Sequence, residues 1–181
     1  MPHMIESDFE HEGLRCIVIF SEYAHRCGYV GISPHHPLYG VEYGQAIDND
    51  LILKEVKEAK IGKRGIIPVA FWDGERVRPD VIFNVHGGLT YSRGLDTYPI
   101  ETDKEYWWFG FDCAHYNDAK DWKKAFECFP NDKRLQVMYD IDRQYRTHGV
   151  VRSKEYVEQE CRNLAEQLGC VSQLMESKEE P

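Results

Sequence analysis

The sequence has too few basic residues to balance its acidic ones. Its 181 residues include 22 Lys and Arg against 31 Asp and Glu, so the formal net charge is −9. Nucleic-acid binding draws most of its free energy from cations that displace the counterions of the phosphates, and an acidic chain without a basic run lacks that contribution. Anionic membrane surfaces attract basic segments for a similar reason. General nucleic-acid binding and membrane adhesion are therefore not expected.

Long apolar runs and closely spaced cysteines are also absent. The longest obviously apolar stretch, residues 16–20, is far shorter than the ~20 residues that cross a bilayer. Residues 1–13 carry acidic side chains but no basic flank and no apolar core, so they do not resemble a secretory signal. The six cysteines form no Cys-x-x-Cys pair, which removes the usual structural zinc and dithiol redox motifs. We expect a cytoplasmic protein with reduced thiols.

The composition of the chain is typical of one ordered globular domain. Hydrophobic residues make up 42% of the chain, and a chain of this length suffices for a single core. Short β-branched and aromatic runs, some of them bounded by turn residues, predict strands at residues 14–20, 28–32, 69–72, 81–85 and 107–112. The first two of these form a predicted hairpin.

The C-terminal part has helical periodicity. Ser153 is a predicted N-cap, Gly169 a predicted stop, and a second helix is expected over residues 135–146. The apolar positions of the helix that begins after Ser153 are Val157, Cys161, Leu164, Ala165 and Leu168. The expected fold is a single α+β domain, a mostly antiparallel sheet with the C-terminal amphipathic helix packed on it. Residues 1–13 and 172–181 are expected to be loosely ordered.

Residues 85–118 carry the candidate site. His86 follows a predicted strand and precedes two glycines, which permit positive φ and the close approach of a ligand. Asp112 and His115 lie at the end of another strand, so the three polar side chains are expected to meet in one pocket. The predicted ligand-binding residues are His86, Gly87, Gly88, Thr90, Arg93, Trp108, Asp112 and His115.

The same side chains also suit a metal-dependent hydrolase. In this alternative His86, Asp112 and His115 hold zinc or manganese, which lowers the pKa of a bound water. A fourth ligand would come from His36 or Asp118.

A third and weaker interpretation makes Cys113 a nucleophile, with His86 or His115 as its base. Each of these residues also has an ordinary structural role. Histidine suits partly buried turns, Asp112 suits a turn cap, and a cysteine among aromatic residues is usually a small buried hydrophobe.

Four segments together resemble a family of small proteins encoded by tailed phages and some bacteria. They are residues 27–31 (CGYVG), 36–40 (HPLYG), 86–91 (HGGLTY) and 107–115 (WWFGFDCAH). The resemblance spans about residues 16–118 and resumes within residues 156–165. It implies a phage context and brings no established activity.

A phage context favours an accessory protein of the host cytoplasm. Such a protein would bind a host protein or a small, nucleotide-like ligand that stacks on aromatic rings and bonds to backbone amides. Arg93, with Arg76 and Arg78, is the predicted partner of the phosphates. Ligand capture is thus the first expectation, and the metal-dependent hydrolase is the alternative.

Overall fold

The computed structural model describes residues 2–47, 78–94, 97–145 and 148–176, and its framework is a five-stranded antiparallel sheet. The strands are β1 (His3–His11), β2 (Leu14–Ser21), β3 (Arg26–Ile32), β4 (Tyr91–Arg93) and β5 (Trp107–Asp112). The helices are α1 (Pro79–Ile82), α2 (Trp122–Cys128), α3 (Arg134–Tyr145) and α4 (Lys154–Glu176). The order across the sheet is β1-β2-β3-β5-β4, with every neighbouring pair antiparallel. The expected α+β fold is confirmed.

The predicted hairpin forms from β2 and β3. Their register pairs Arg15 with Gly31 and Phe20 with Arg26. Almost every residue of the two strands is buried because the pair lies in the middle of the sheet. The strand predicted from the β-branched run at residues 14–20 is thus confirmed as β2.

Alternation along the strands gives the sheet two apolar faces. One face, which we call the helix face, packs Val18, Val30 and Phe109 against the apolar side of α4. The opposite face, which we call the tyrosine face, carries Tyr29 and Trp108 together with further aromatic side chains. Fully burying one large apolar side chain contributes roughly 1.5–3 kcal/mol, so both faces stabilise the sheet.

The C-terminal helix begins as predicted but ends later. The Ser153 hydroxyl accepts the Tyr156 amide at 3.2 Å, as an N-cap does. Gly169 lies inside α4, which continues to Glu176. The reason is tertiary packing, because Val171 is fully buried in the core and another buried turn outweighs the ~1 kcal/mol helix penalty of one glycine.

Of three further expectations, two are corrected and the third is confirmed. Residues 3–11 are not loosely ordered but form the edge strand β1, paired along its length with β2, and Phe9 packs against the core. Residues 81–85 are not a strand, because Pro79 starts the short helix α1 and residues 83–85 join no ladder of the sheet. The helix expected over residues 135–146 is confirmed as α3, in which Leu135 is the buried residue.

Some expectations fall outside the described part of the chain. The strand predicted at residues 69–72, Arg76 and residues 177–181 belong to this group. Within the described residues, no helix combines the length and apolarity needed to cross a bilayer.

Candidate metal centre

His86 lies in a tight turn that is tied to the C-terminal helix. The Gly88 amide donates to the Val85 carbonyl at 2.9 Å, and both Gly87 and Gly88 have positive φ, at 68° and 88°. The His86 amide donates to Glu160 Oε2 of α4 at 2.8 Å. The two glycines thus let the chain reverse immediately after His86, and α4 holds the turn in place.

His115 lies in the turn that follows β5. Its carbonyl accepts the Asp118 amide at 2.9 Å, and its own amide donates to Asp118 Oδ2 at 2.9 Å. The imidazole ring covers the bare Cα of Gly87, where an added Cβ would lie only 1.9 Å from His115 Cε1. The two turns can meet only because Gly87 has no side chain.

Asp118 is the buried centre of the cluster, with its side chain only 2% exposed. Its Oδ2 accepts from His86 Nε2 at 2.8 Å and its Oδ1 accepts from Arg152 Nε at 2.7 Å. Burial alone would raise the pKa of Asp118, but the hydrogen bonds from Arg152, His86 and the His115 amide outweigh it and lower the pKa to about 2. Asp118 is therefore a carboxylate at neutral pH.

Tyr156 of α4 completes the surroundings of His86. Its hydroxyl lies 3.0 Å from His86 Nδ1, and the Arg152 guanidinium lies 5.0 Å from the centre of its ring. Because ionised Asp118 can only accept, His86 Nε2 carries a proton and donates to it, while the other ring nitrogen of His86 pairs with the Tyr156 hydroxyl. The result is a chain of hydrogen bonds from Tyr156 through His86 to Asp118.

Three side chains of this cluster offer ligand atoms to one point in space. The donor atoms of His86, His115 and Asp118 all lie within 4.8 Å of one another. His115 Nδ1 lies 3.5 Å from Asp118 Oδ2, is shielded from solvent and forms no hydrogen bond to any described residue. Zinc bonds of about 2.0–2.1 Å in a tetrahedral arrangement place neighbouring ligands roughly 3.3 Å apart. The separations of Asp118 Oδ2 from His86 Nε2, 2.8 Å, and from His115 Nδ1, 3.5 Å, lie on either side of that value, and the two imidazole nitrogens lie within 4.8 Å of each other.

Asp112, the expected carboxylate of this group, does not belong to it. Alternation along β5 places Asp112 on the tyrosine face, where it accepts the Thr90 hydroxyl at 2.9 Å. The chain turns after Cys113 toward the helix face, where His115 meets His86. Asp118, three residues after His115, supplies the carboxylate that was expected from Asp112. Asp118 was proposed only as a possible fourth ligand.

Two other predicted pocket residues are also placed elsewhere. Trp108 is fully buried on the tyrosine face. Arg93 is exposed and pairs with Trp108 at the far end of β5, four residues from Asp112, or about 13 Å along the strand. Of the two other predicted phosphate partners, Arg78 pairs with Asp80 at 3.1 Å, and Arg76 is not described.

Cys113 and His36 have structural roles. Cys113 is 2% exposed, and burial, reinforced by nearby Asp118, raises the pKa of its thiol far above the usual range, which opposes a nucleophilic role. His36 is buried, with Nε2 3.0 Å from the Leu168 carbonyl and Nδ1 accepting the Leu38 amide at 3.1 Å. Both ring nitrogens are therefore occupied, and His36 is not free to act as a fourth ligand.

Arg152 and Tyr156 are the residues that sequence reasoning missed as parts of the site. They flank the predicted N-cap Ser153, but only the docking of α4 brings them to His86. Comparison of the chain with protein-family models, with curated proteins and with solved structures finds no match. The resemblance to phage-encoded proteins therefore stays a prediction.

Proposed function

We propose that the protein binds one divalent metal ion through His86, His115 and Asp118 and uses it to hydrolyse a small phosphate ester. The observation that carries this proposal is the convergence of two imidazole nitrogens and one carboxylate oxygen within 4.8 Å. Two histidines and one carboxylate are a common ligand set for zinc and for other divalent ions with open coordination positions.

The neighbours of these ligands support the proposal. Metal-binding imidazoles usually hydrogen-bond through their second nitrogen, and ligating carboxylates are held in turn by other groups. Tyr156 lies at the second nitrogen of His86, and Arg152 holds the second oxygen of Asp118. With an ion at Nε2, the imidazole proton would lie on Nδ1 and donate to the Tyr156 hydroxyl.

Access and charge favour a small anionic substrate. His86 and Asp118 are almost fully buried, whereas the side chain of His115 is 37% exposed and forms the solvent side of the cluster. A metal ion lowers the pKa of a bound water to about 7 and so supplies hydroxide at neutral pH. Arg152, a cation, contacts Asp118 of the cluster, and guanidinium groups suit the oxygens of phosphate esters.

Metal titration of the purified protein tests the binding step. After treatment with a chelator and its removal, calorimetric titration with Zn²⁺ or Mn²⁺ should give one ion per chain. His115→Ala should weaken binding more than a hundredfold, because loss of a neighbouring non-ligand group already costs about 10–100-fold. His35→Ala is the matched control, because His35 is exposed in a surface turn. No stoichiometric binding, or equal affinities for the two variants, would overturn the proposal.

A turnover assay tests the chemistry. Protein loaded with one ion should hydrolyse bis(p-nitrophenyl) phosphate catalytically, and the activity should be lost with a chelator and in His115→Ala. Binding of metal without turnover would refute the hydrolase and leave the capture of a nucleotide-like ligand or host factor as the better prediction. A captured ligand would be recovered chemically intact after the protein is denatured.

A further inference from the structure

The tyrosine face of the sheet contains a cavity that the metal centre does not use. Its volume is about 200 Å³, below the roughly 300 Å³ at which pockets for drug-sized molecules begin. Tyr29, Tyr91 and Tyr98 form aromatic walls, and Asp112 and Thr90 also line it. A cavity of this size admits a compact molecule of one ring with a short side chain.

The three tyrosine rings form a preorganised group. Tyr29 meets Tyr91 and Tyr98 edge to face, with ring centroids 5.3 and 5.4 Å apart. Gly110 is the register partner of both Tyr29 and Tyr91, and a Cβ on Gly110 would lie 2.5 Å from Tyr29 Cδ1. The missing side chain lets the Tyr29 ring lie on the sheet as the floor of this group.

One hydroxyl group in the cavity wall lacks a partner. The hydroxyls of Tyr29 and Tyr98 hydrogen-bond to each other. Tyr91 Oη is shielded from solvent and has no partner among the residues for which the structure gives positions. A buried hydroxyl without a hydrogen bond is costly, so this atom indicates a donor or acceptor that occupies the cavity.

Asp112 places a fixed carboxylate in the same cavity. Its Oδ1 accepts the Ala114 amide at 3.1 Å and its Oδ2 accepts the Thr90 hydroxyl at 2.9 Å. Each oxygen retains a second lone pair, and Asp112 forms no ion pair within the described part of the chain. The exposed Thr90 and half-buried Asp112 place this carboxylate at the solvent side of the cavity.

We propose that this cavity binds a small aromatic amine, with its ring against the tyrosines and its ammonium group on Asp112. The Tyr29 ring lies over Gly110, and Asp112 is two residues further along the same face of β5, about 7 Å away. A two-carbon link with an ammonium–carboxylate hydrogen bond of about 2.8 Å spans that distance. A polar group on the far side of the ring would satisfy Tyr91 Oη. The formal charge of −9 also favours a cation over an anion.

Three probes of one shape but different charge test the proposal. Tyramine carries an ammonium group, tyrosol replaces it with a neutral hydroxyl, and 4-hydroxyphenylacetate carries a carboxylate. In NMR titrations of the full chain, tyramine should bind saturably, shift the signals of the tyrosine face, and bind at least tenfold more tightly than the other two. Binding of tyrosol or of the acid as tightly as tyramine would overturn the proposal, as would no saturable binding of tyramine.

Two variants and a control locate the binding. Asp112→Asn should weaken tyramine about ten- to a hundredfold, the usual effect of losing a charge-assisted hydrogen bond, and leave tyrosol unchanged. Tyr91→Phe should weaken tyramine but not phenethylamine, which lacks the phenol. Asp8→Asn removes the same charge from an exposed position on β1 and should change nothing. Equal losses in Asp8→Asn and Asp112→Asn would assign the binding to net charge and refute the site. Because the metal ligands lie on the helix face, Zn²⁺ binding should be the same in all three variants.

Discussion

Replacement of Asp118 by Asn tests whether the buried carboxylate holds the candidate metal centre together in the metal-free protein. Lowering the pKa of Asp118 from 3.8 to about 2 corresponds to roughly 2 kcal/mol of folding free energy. The variant also leaves Arg152 and His86 without their anionic partner, which costs roughly 3–5 kcal/mol in fully buried pairs. Arg152 is about one quarter exposed, so water relieves part of that cost. We expect Asp118→Asn to lower the free energy of unfolding by about 3 kcal/mol at pH 7.

The pH dependence of this loss gives the sharper test. A carboxylate whose pKa is lowered in the folded state stabilises the protein fully above its unfolded value, and the stabilisation is lost as the pH falls through the folded value. For Asp118 this window runs from about pH 4 down to about pH 2. Roughly half of the 2 kcal/mol is gone by pH 3, so the difference between wild type and variant should shrink by about 1 kcal/mol.

Urea unfolding at pH 7 and pH 3 measures both quantities. Asp8→Asn is the matched control, because Asp8 likewise pairs with an arginine, accepting two hydrogen bonds from Arg15 at 3.0 and 2.8 Å, but at the surface. Exposed pairs of this kind contribute about 0–1 kcal/mol. Equal costs for the two variants at pH 7, or a cost for Asp118→Asn that is the same at both pH values, would refute the electrostatic account of the cluster.

Three further outcomes are expected. Gly87→Ala should lower the free energy of unfolding in urea by about 3 kcal/mol, because the added Cβ would overlap the His115 imidazole. Gly88→Ala should lower it by only about 1 kcal/mol, since its positive φ is unfavourable but its Cβ would meet no neighbour. Equal losses would contradict the close approach of the two turns. Iodoacetamide at pH 7.5 should label exposed Cys170 quickly and Cys113 only on unfolding, as mass spectrometry of the digested protein would reveal. Tyr156→Phe should lower Zn²⁺ affinity about tenfold in calorimetry, and an unchanged affinity would separate this hydroxyl from the metal centre.

Local patterns predicted the hairpin and the last helix because the apolar residues in each pattern are the ones that the fold buries. The β2 run is buried at nearly every position, and Val157, Leu164 and Leu168 recur at helical spacing. The edge strand β1 was missed because its sequence is polar and acidic, with Asp8 and Glu10 exposed, although it forms a hairpin with β2 across the two-residue turn at residues 12–13. The pairing of β3 with β5 joins segments about 80 residues apart, so the order of the strands in the sheet has no local signature.

The site was half predictable for a similar reason. His86 and His115 were found because each lies at the end of an apolar run beside glycine or a turn residue. The carboxylate was misassigned because alternation along β5 places Asp112 on the tyrosine face, whereas the turn after β5 leads the chain to the helix face. The direction of that turn depends on tertiary contacts, such as the hydrogen bond from Arg152 to Asp118, which the local sequence does not show. The contribution of Tyr156 required the docking of a helix that lies seventy residues away from His86 along the chain.

That docking sets the order of events during synthesis. The helix face of the sheet is closed by Val157, Cys161 and Leu164, which leave the ribosome after all five strands. Until they emerge, β2 and β3 present an uncovered apolar surface, so the nascent chain can only collapse loosely around it. Because Glu160 of the same helix binds the His86 amide, the core and the candidate metal centre are completed in one step. A nascent chain that has not yet added α4 therefore lacks the contacts of Glu160 and Tyr156 that hold His86 in the site.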